Sequence, residues 1–364
     1  MTQIEATQPE RPMTRERPWL LLAVVLLGFV GLALLTMLLP HDRYIRYQQL
    51  SETLHFRSIW AYERIAFDDT PIDVAVIGNS RLQSAVSAPV LQERLSEQLG
   101  RPVRVANLSL PQEGRNAHYS VARELFAHRD DVDMVILSAI EAMPRDGHPA
   151  FRNIADAGDV LAAPVLINRG YGDDLAFIPF RQMSLFVQSL APGAFGLSGF
   201  DQEGYYGTDY DTTVSYQSPT GGFIDKDSVY AAELLRPFAE ERVRSITPPV
   251  LPEILADREF AIEHHYTRAI ADLAQANGAQ VMFLYMPIFE NPDPLREEQF
   301  YTEIGTVLTV ECIAADAGLY SDYGHLNASG ARQLSLMLGD TLARLMALGE
   351  SEDSVEDREK VSLC

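Results

Sequence analysis

An uninterrupted apolar run near the amino terminus constrains this chain most strongly. Residues 19–39 contain no charged side chain, and Pro18 and Pro40 stand at either end of them. A helix rises 1.5 Å per residue, so about 20 residues cross a hydrocarbon core of about 30 Å. Trp19 and Tyr44 flank the run with the amphipathic aromatic rings that are typical of a membrane interface. The run therefore predicts a transmembrane anchor.

A cleaved signal peptide is the alternative, but an uncleaved anchor is favoured. The run is longer than the apolar core of a usual signal peptide, and no small-x-small cleavage site follows Pro40. Three arginines and the amino terminus precede the run, against two arginines soon after it. This bias predicts a cytoplasmic tail over residues 1–18 and an extracytoplasmic carboxyl-terminal domain. The expected location is the inner (cytoplasmic) membrane, crossed once, with the domain on the periplasmic side.

Charge and cysteine content exclude some classes of partner. Lys and Arg number 29 and Asp and Glu number 51, which gives a net charge of −22. Nucleic-acid binding needs a basic face that neutralises phosphates, so no nucleic-acid partner is expected. Cys312 and Cys364 lack metal-ligand spacing, and neither a metal nor a cofactor is expected. A bridge between these two cysteines is possible in an oxidising compartment, but two unpaired cysteines are the favoured interpretation.

Buried strands alternate with amphipathic helices in the first part of the chain. Short apolar runs predict strands, and apolar residues at helical spacing predict helices, the first of which Gly100 ends as a C′ glycine. The predicted order is strand 73–78, helix 88–99, strand 103–108, helix 115–128 and strand 132–138. This alternation predicts a parallel sheet covered by helices on both faces.

The rest of the chain divides into a domain, an insertion and a tail. Residues 40–70 are predicted as an amphipathic stalk or first helix, and residues 71–348 as one domain. An insertion over about 145–250 is rich in Gly, Pro, Asp and aromatic residues, which predicts weak local structure. It is either a functional lid or binding loop, or a solvated excursion. The remaining predictions are a helix at 257–277, a strand at 280–285, helices at 295–316 and up to about 348, and a disordered acidic tail over 349–364.

Three side chains in two distant loops suggest nucleophilic catalysis. Ser80 follows the first predicted strand and precedes a helix, and ligands gather at the carboxyl ends of parallel strands. A serine nucleophile needs a base, and an imidazole base needs a carboxylate that holds its tautomer. Asp322 lies three residues before His325, so one short loop can present both groups. Each residue alone is more simply a helix cap or a loop residue, and the combination carries the hypothesis.

Two of these segments resemble the SGNH (GDSL-like) hydrolase superfamily. The motif Gly78-Asn79-Ser80 resembles its first sequence block, and Asp322-Tyr323-Gly324-His325-Leu326-Asn327 resembles its last. The resemblance covers residues 72–143 and 257–348. It implies a flavodoxin-like α/β/α three-layer sandwich with Ser80 as the nucleophile and His325 and Asp322 as its partners. It also implies an oxyanion hole formed by the N–H of Ser80 and, after the second strand, by Gly114.

Other blocks of that family are altered. The Gly-x-Asn-Asp expected after the third strand is missing, and Ser138-Ala139-Ile140-Glu141 stands in its place. Loss of one oxyanion donor costs about 100- to 1,000-fold in rate. Anchored relatives that modify envelope polysaccharides, such as those resembling alginate acetylation proteins and the D-alanylation protein of teichoic acids, depart similarly. Candidate substrate-binding residues are Asn79, Arg81, Arg115 and Glu141.

The resemblance and the anchor together suggest a function on the cell envelope. The first hypothesis is a membrane-anchored serine esterase or O-acyltransferase that acts on ester groups of an extracytoplasmic polysaccharide or other acylated glycan. A membrane-bound acyltransferase is a possible partner, and the single anchor implies contact with membrane lipid. The alternative is a weak or inactive scaffold or glycan-binding protein of a polysaccharide assembly complex. A lipase facing the bilayer is less favoured, because the insertion is too acidic for an apolar lid.

Overall fold

A parallel sheet forms the centre of the domain. The computed structural model describes residues 18–140, 147–245, 253–291, 295, 297–349 and 360–364. The strands are β1 (Val74–Ile77), β2 (Val105–Asn107), β3 (Met134–Ala139), β4 (Tyr216–Gln217), β5 (Phe223–Ile224), β6 (Gln280–Tyr285), β7 (Thr306–Thr309) and β8 (Val361–Ser362). Six of them pair in parallel in the order β2-β1-β3-β6-β7-β8, while β4 and β5 form a separate antiparallel hairpin. The predicted α/β class is therefore confirmed.

Helices surround this sheet and extend into the amino-terminal region. The helices before β3 are α1 (Pro18–Thr36), α2 (Arg43–Gln48), α3 (Arg57–Ala66), α4 (Ser80–Ala85), α5 (Ala88–Leu99) and α6 (Arg115–His128). Those after β3 are α7 (Phe151–Ile154), α8 (Ala157–Ala162), α9 (Tyr171–Leu190), α10 (Ala232–Ser245), α11 (Ala256–Glu259), α12 (Ala261–Ala276), α13 (Glu298–Thr302) and α14 (Ala328–Gly349). The predicted helices at 88–99 and 115–128 are confirmed at both ends.

Successive residues of each central strand enter two different hydrophobic cores. Ala75 and Ile77 of β1 pack with side chains of α3, α6 and α12 on one face. Val74 and Val76 pack with side chains of α4, α5 and α14 on the other face. Strands buried on both faces favour apolar residues at nearly every position. This explains why β1 is a continuous apolar run and why Ser138 is the one polar residue of β3.

The amino-terminal segment enters the domain directly. Among the described residues, α1 is the one helix long and apolar enough to cross a membrane, and nearly all of its surface is uncovered. The two helices that follow are not a free stalk, because Tyr44, Tyr47 and Trp60 are buried in the core that faces α6. Arg43 also forms an ion pair of 2.9 Å with Glu124 of α6. Residues 43–66 are thus part of the packed domain.

Most of the described insertion after β3 is structured, so the prediction of weak local structure is wrong for that part. Residues 196–215 contain neither helix nor strand, as predicted. Residues 147–245 contain four helices and the β4–β5 hairpin, and α9 alone has 20 residues. Some of the glycines and prolines that suggested loops lie at the ends of elements, although Pro179 and Pro237 lie inside α9 and α10. Gly170 precedes α9, and Pro192 begins the turn that follows it.

The prediction of one long helix over 295–316 is also wrong. The described part of this segment contains the short helix α13 and then β7, which pairs with β6. Thr306, Val307 and Thr309 are β-branched residues, which fit a pleated strand better than a helix. The equally short β1 was predictable because all four of its residues are apolar, whereas the two threonines of β7 break the apolar run.

The last residues of the chain return to the sheet. Strand β8 pairs with β7, and the next residue but one, Cys364, forms a disulfide with Cys312, with 5.9 Å between the two Cα atoms. The expectations of unpaired cysteines and of a disordered end are therefore wrong for residues 360–364. The rest of the predicted tail, 350–359, lies outside the described residues. The pairing depends on β7 and β8 meeting in space, which no local pattern in the sequence indicates.

Removing this disulfide is expected to destabilise the domain substantially. The bond closes a loop between residues 52 positions apart. Restricting the unfolded chain over such a loop stabilises the fold by about 3 to 4 kcal/mol in the chain-entropy model. We expect Cys312→Ser to lower the free energy of unfolding by that amount in a urea titration of the full chain. Reduced wild-type protein should match the variant, and equal stability of oxidised protein and variant would contradict the prediction.

Candidate active site

Ser80 lies where a parallel sheet is expected to bind ligands. It lies three residues after the end of β1 and begins α4. The next two strands of the chain, β2 and β3, pair on opposite sides of β1. Open α/β sheets bind ligands at such a switch point. The side-chain oxygen of Asn79 caps α4 by accepting from the N–H groups of Arg81 (3.2 Å) and Leu82 (3.3 Å). This cap does not use the N–H of Ser80, which can donate to a ligand.

Ser80, His325 and Asp322 form a chain of hydrogen bonds. Nε2 of His325 lies 2.8 Å from Oγ of Ser80. Nδ1 of the same ring lies 2.8 Å from Oδ2 of Asp322 and 3.0 Å from its Oδ1. When Nδ1 carries the proton toward the carboxylate, Nε2 is the acceptor for the serine proton. The arrangement can therefore deprotonate the serine oxygen as that oxygen attacks a carbonyl carbon.

A tight loop presents Asp322 and His325 to the serine. The N–H of Ser321 donates to the carbonyl of His325 (2.9 Å) and closes the loop. Oδ1 of Asp322 accepts the N–H groups of Gly324 (2.8 Å) and His325 (2.9 Å). Burial alone would raise the pKa of Asp322, but hydrogen bonds from the His325 ring and the two N–H groups, with the charge of that ring, lower the pKa below its ordinary value. An ionised carboxylate here stabilises an imidazolium.

An open cleft gives access to this chain of hydrogen bonds. It has a volume of about 310 Å³ and contains both Ser80 and His325. The other residues that line it come from α4, the loop after β2, α10, the segment after β6 and the Asp322 loop: Arg81, Gln112, Glu113, Arg242, Ile288, Tyr323 and Gly324. Arg242 of the insertion forms an ion pair of 3.0 Å with Glu113. One wall of the cleft is thus held in place by the insertion.

Gly114 does not lie in the cleft, although it was the candidate for the second oxyanion donor. Its φ is +135°, and a Cβ at this position would lie 2.3 Å from the backbone nitrogen of His148. Glycine is therefore needed here for the close approach of another segment. Gln112, two residues earlier, lines the cleft and has a φ of +71°, a conformation that a residue with a side chain rarely adopts. Residues with such strained backbone occur often at functional sites. The positive φ of Gln112 therefore identifies it as a candidate, and a φ value cannot be derived from the sequence.

Arg115 and Asn79, which were predicted to bind substrate, have structural roles instead. Arg115 is fully buried and forms an ion pair with Glu263 of α12, and its guanidinium also donates to the carbonyl of Ser138. It joins α6, β3 and α12, so the prediction that it contacts substrate is wrong. Asn79 is buried as the cap of α4 and is not among the cleft residues.

Arg81 and Glu141 are the two remaining candidates for substrate binding. Arg81 does line the cleft, where its guanidinium donates to the carbonyl of Met286 after β6. This placement keeps a cation close to the nucleophile. Glu141 lies outside the described residues.

The insertion also supplies Lys226, whose ammonium lies near the carboxylate of Asp322. This lysine was not among the site residues predicted from the sequence. Lys226 is half-buried, and its Nζ donates to Oγ of Ser84 on α4 (3.1 Å). Its carbonyl accepts the N–H of Ala328 at the start of α14 (2.8 Å). Burial lowers the pKa of the Lys226 ammonium, and the charge of Asp322 acts in the opposite direction. The only signal in the sequence was that Lys226 is one of two lysines.

Comparison with known proteins adds no family to these observations. The chain matches no family model, and no curated protein matches it.

Proposed function

We propose that this protein is a membrane-anchored serine esterase or O-acyltransferase of the SGNH type, acting on ester-linked acyl groups of an extracytoplasmic glycan. The observation that carries the proposal is the chain from Ser80 through His325 to Asp322 at the carboxyl end of β1. The position of β1 between β2 and β3 in the parallel sheet supports the proposal of a flavodoxin-like arrangement.

The proposed reaction has two half-steps. His325 accepts the proton of Ser80 while Oγ attacks the acyl carbonyl, and the carbonyl oxygen becomes an oxyanion that faces the N–H of Ser80. The ester bond to the glycan then breaks, and the departing hydroxyl takes its proton from His325. Water or an acceptor sugar hydroxyl next gives a proton to His325 and attacks the acyl-serine. The bond from the acyl carbon to Oγ then breaks, and Oγ takes that proton from His325, so release of the acid or the new ester restores Ser80.

The anchor and the disulfide support an extracytoplasmic location. α1 is long and apolar enough to cross a membrane, and the domain follows it directly. The bond between Cys312 and Cys364 fits an oxidising compartment, because cytosolic thiols are kept reduced. The cleft is open, and the half-buried ring of Tyr323 and the cations Arg81 and Arg242 on its walls fit a polar, sugar-like substrate. An acylated envelope glycan is the proposed substrate class.

A fluorophosphonate probe tests the proposed nucleophile directly. This reagent phosphonylates a serine only where a neighbouring base activates the hydroxyl, so we expect stoichiometric labelling of the full chain at Ser80, mapped by peptide mass spectrometry. Ser80→Ala and His325→Ala should both abolish labelling. A wild-type protein that stays unlabelled, while its circular dichroism shows a folded domain, would exclude the proposed mechanism.

A second candidate function is a catalytically inactive glycan-binding scaffold. The observation that favours it lies at the end of β3. The SGNH superfamily has an asparagine there that donates to the oxyanion, whereas Ser138 and Ile140 of this chain are buried and carry no side-chain amide. Absence of probe labelling together with glycan binding would support this alternative. Labelling at Ser80 would exclude it.

Gln112 is expected to contribute to stabilisation of the oxyanion. Glutamate has the same shape as glutamine but adds a negative charge beside the developing oxyanion. We expect Gln112→Glu to lower kcat for an acetyl ester by about 100-fold, with little change in KM. Gln112→Gly relaxes the positive φ and keeps the backbone N–H, so its activity distinguishes the backbone donor from the side-chain donor. Unchanged kcat in Gln112→Glu would remove residue 112 from the oxyanion site.

A further inference from the structure

The domain has no free linker to separate it from α1. The helix ends at Thr36, and six residues later the N–H of Asp42 donates to Oγ of Ser189 on α9 (2.9 Å). Tyr44, two residues further on, is already buried in the core. If α1 spans a bilayer, the part of the domain beside its end must therefore lie at the membrane surface.

The element beside the end of α1 is α9, and α9 is firmly attached to the domain. α1 and α9 are in contact, and Ile178 and Leu185 fill the core under α9. The guanidinium of Arg181, also buried, donates to the carbonyls of Arg152 (2.6 Å) and Ala155 (2.8 Å) at the end of α7. These contacts fix which face of α9 points away from the domain.

The outward face of α9 is an apolar stripe. Phe180, Met183, Val187 and Leu190 recur at spacings of three and four residues, so they lie on one side of the helix. All four are exposed, Phe180 by 69% and Leu190 by 70%. An exposed apolar surface of this kind is typical of a site that binds a membrane or another protein.

We propose that this stripe of α9 is buried in the interfacial layer of the lipid bilayer that holds α1. The continuity with α1 identifies the occupant, because the same short segment that leaves the membrane contacts α9. The net charge of −22, and Asp173 and Asp174 in the first turn of α9, argue for apolar insertion rather than attraction to anionic headgroups. The inference rests on the anchoring part of the proposed function and is independent of the chemistry at Ser80.

Site-directed spin labelling of the full chain tests the inference. Single cysteines would replace Val25 on α1, Met183 on α9 and Leu234 on α10, and each would carry a nitroxide. Cys312 and Cys364 are bonded to each other and stay unlabelled. Leu234 is a matched control, because it is an apolar helix residue exposed by 60% on the insertion. The labelled protein is placed in phosphatidylcholine nanodiscs at one copy per disc, and collisions with oxygen and with a water-soluble nickel chelate are compared.

We expect position 183 to behave as position 25 does, with a loss of nickel collisions and a gain of oxygen collisions, while position 234 stays accessible to nickel. In the double variant Phe180→Ser/Leu190→Ser, accessibility to nickel should return at position 183. A water-exposed label at 183 with a lipid-exposed label at 25 would overturn the inference and leave the anchor intact. Protection of 183 from both collision partners would mean a protein occupant and would also overturn it. A water-exposed label at 25 would overturn the anchor and the inference together.

Discussion

Replacing Ser80 with alanine is expected to lower kcat for an activated acetyl ester by about 10⁴-fold or more. The substitution removes the one protein atom that bonds to the acyl carbon in the proposed mechanism, while the cap of α4 by Asn79 is untouched. The measurement is the steady-state rate of the full chain with p-nitrophenyl acetate and with an acetylated polysaccharide.

Ser109→Ala is a matched control for this loss. Ser109 is buried near the carboxyl end of β2, and within the described structure its hydroxyl has no hydrogen-bond partner. It is a serine at the same edge of the sheet that lacks an imidazole. We expect its kcat to stay within a few-fold of that of the wild type. If Ser80→Ala retained as much activity as Ser109→Ala, Ser80 would not be the nucleophile.

The second large effect is expected for Asp322→Asn. An ionised Asp322 carboxylate can only accept from Nδ1 of His325, 2.8 Å away, and this favours the tautomer in which Nε2 carries no proton. An asparagine amide can donate to Nδ1 instead, which would favour the other tautomer and block proton transfer from Ser80. In the serine-protease triad the same substitution lowers kcat by about 10⁴-fold, and we expect a loss of that order here.

A local control and a double variant separate catalysis from loop folding. Asp316 accepts the N–H of Gly318 (2.9 Å) in the same way that Asp322 accepts the N–H of Gly324 (2.8 Å), but it contacts no imidazole. Asp316→Asn should therefore retain activity. Added to His325→Ala, Asp322→Asn should cost little more, because residues that act as a unit are strongly non-additive. Additive losses would show that Asp322 acts through the loop and not through His325.

Much of the fold could be predicted because its elements are local. The apolar strands β1, β2, β3 and β6 and the helices α5 and α6 follow from residue spacing and from terminating residues such as Gly100. The errors have a common cause. β7 and β8 lack the continuous apolar run of β1, which is no longer than β7. The helices of the insertion pack on distant segments, since Phe151 and Ile178 share a hydrophobic cluster with Tyr266 of α12.

The site was partly predictable for the same reason. Asp322 and His325 are neighbours in one loop, so their pairing is local. Ser80 and His325 are 245 positions apart, and their contact was a hypothesis based on resemblance. Gln112 and Arg242 had no signal in the sequence, and Lys226 had only its rarity as one of two lysines. Each reaches the site through a loop or helix whose path depends on the whole fold.

The sequence by itself determined an apolar segment long enough to span a membrane, an alternation of strands and helices, and a serine placed after the first strand. Tertiary structure decided what each side chain faces. It buries Arg115 against Glu263, gives the cleft Gln112 instead of Gly114, joins Cys312 to Cys364, and leaves one side of α9 uncovered beside α1. The physical reason is that hydrophobic periods and caps act over a few residues along the chain. Burial and reactivity depend on which distant residues become neighbours.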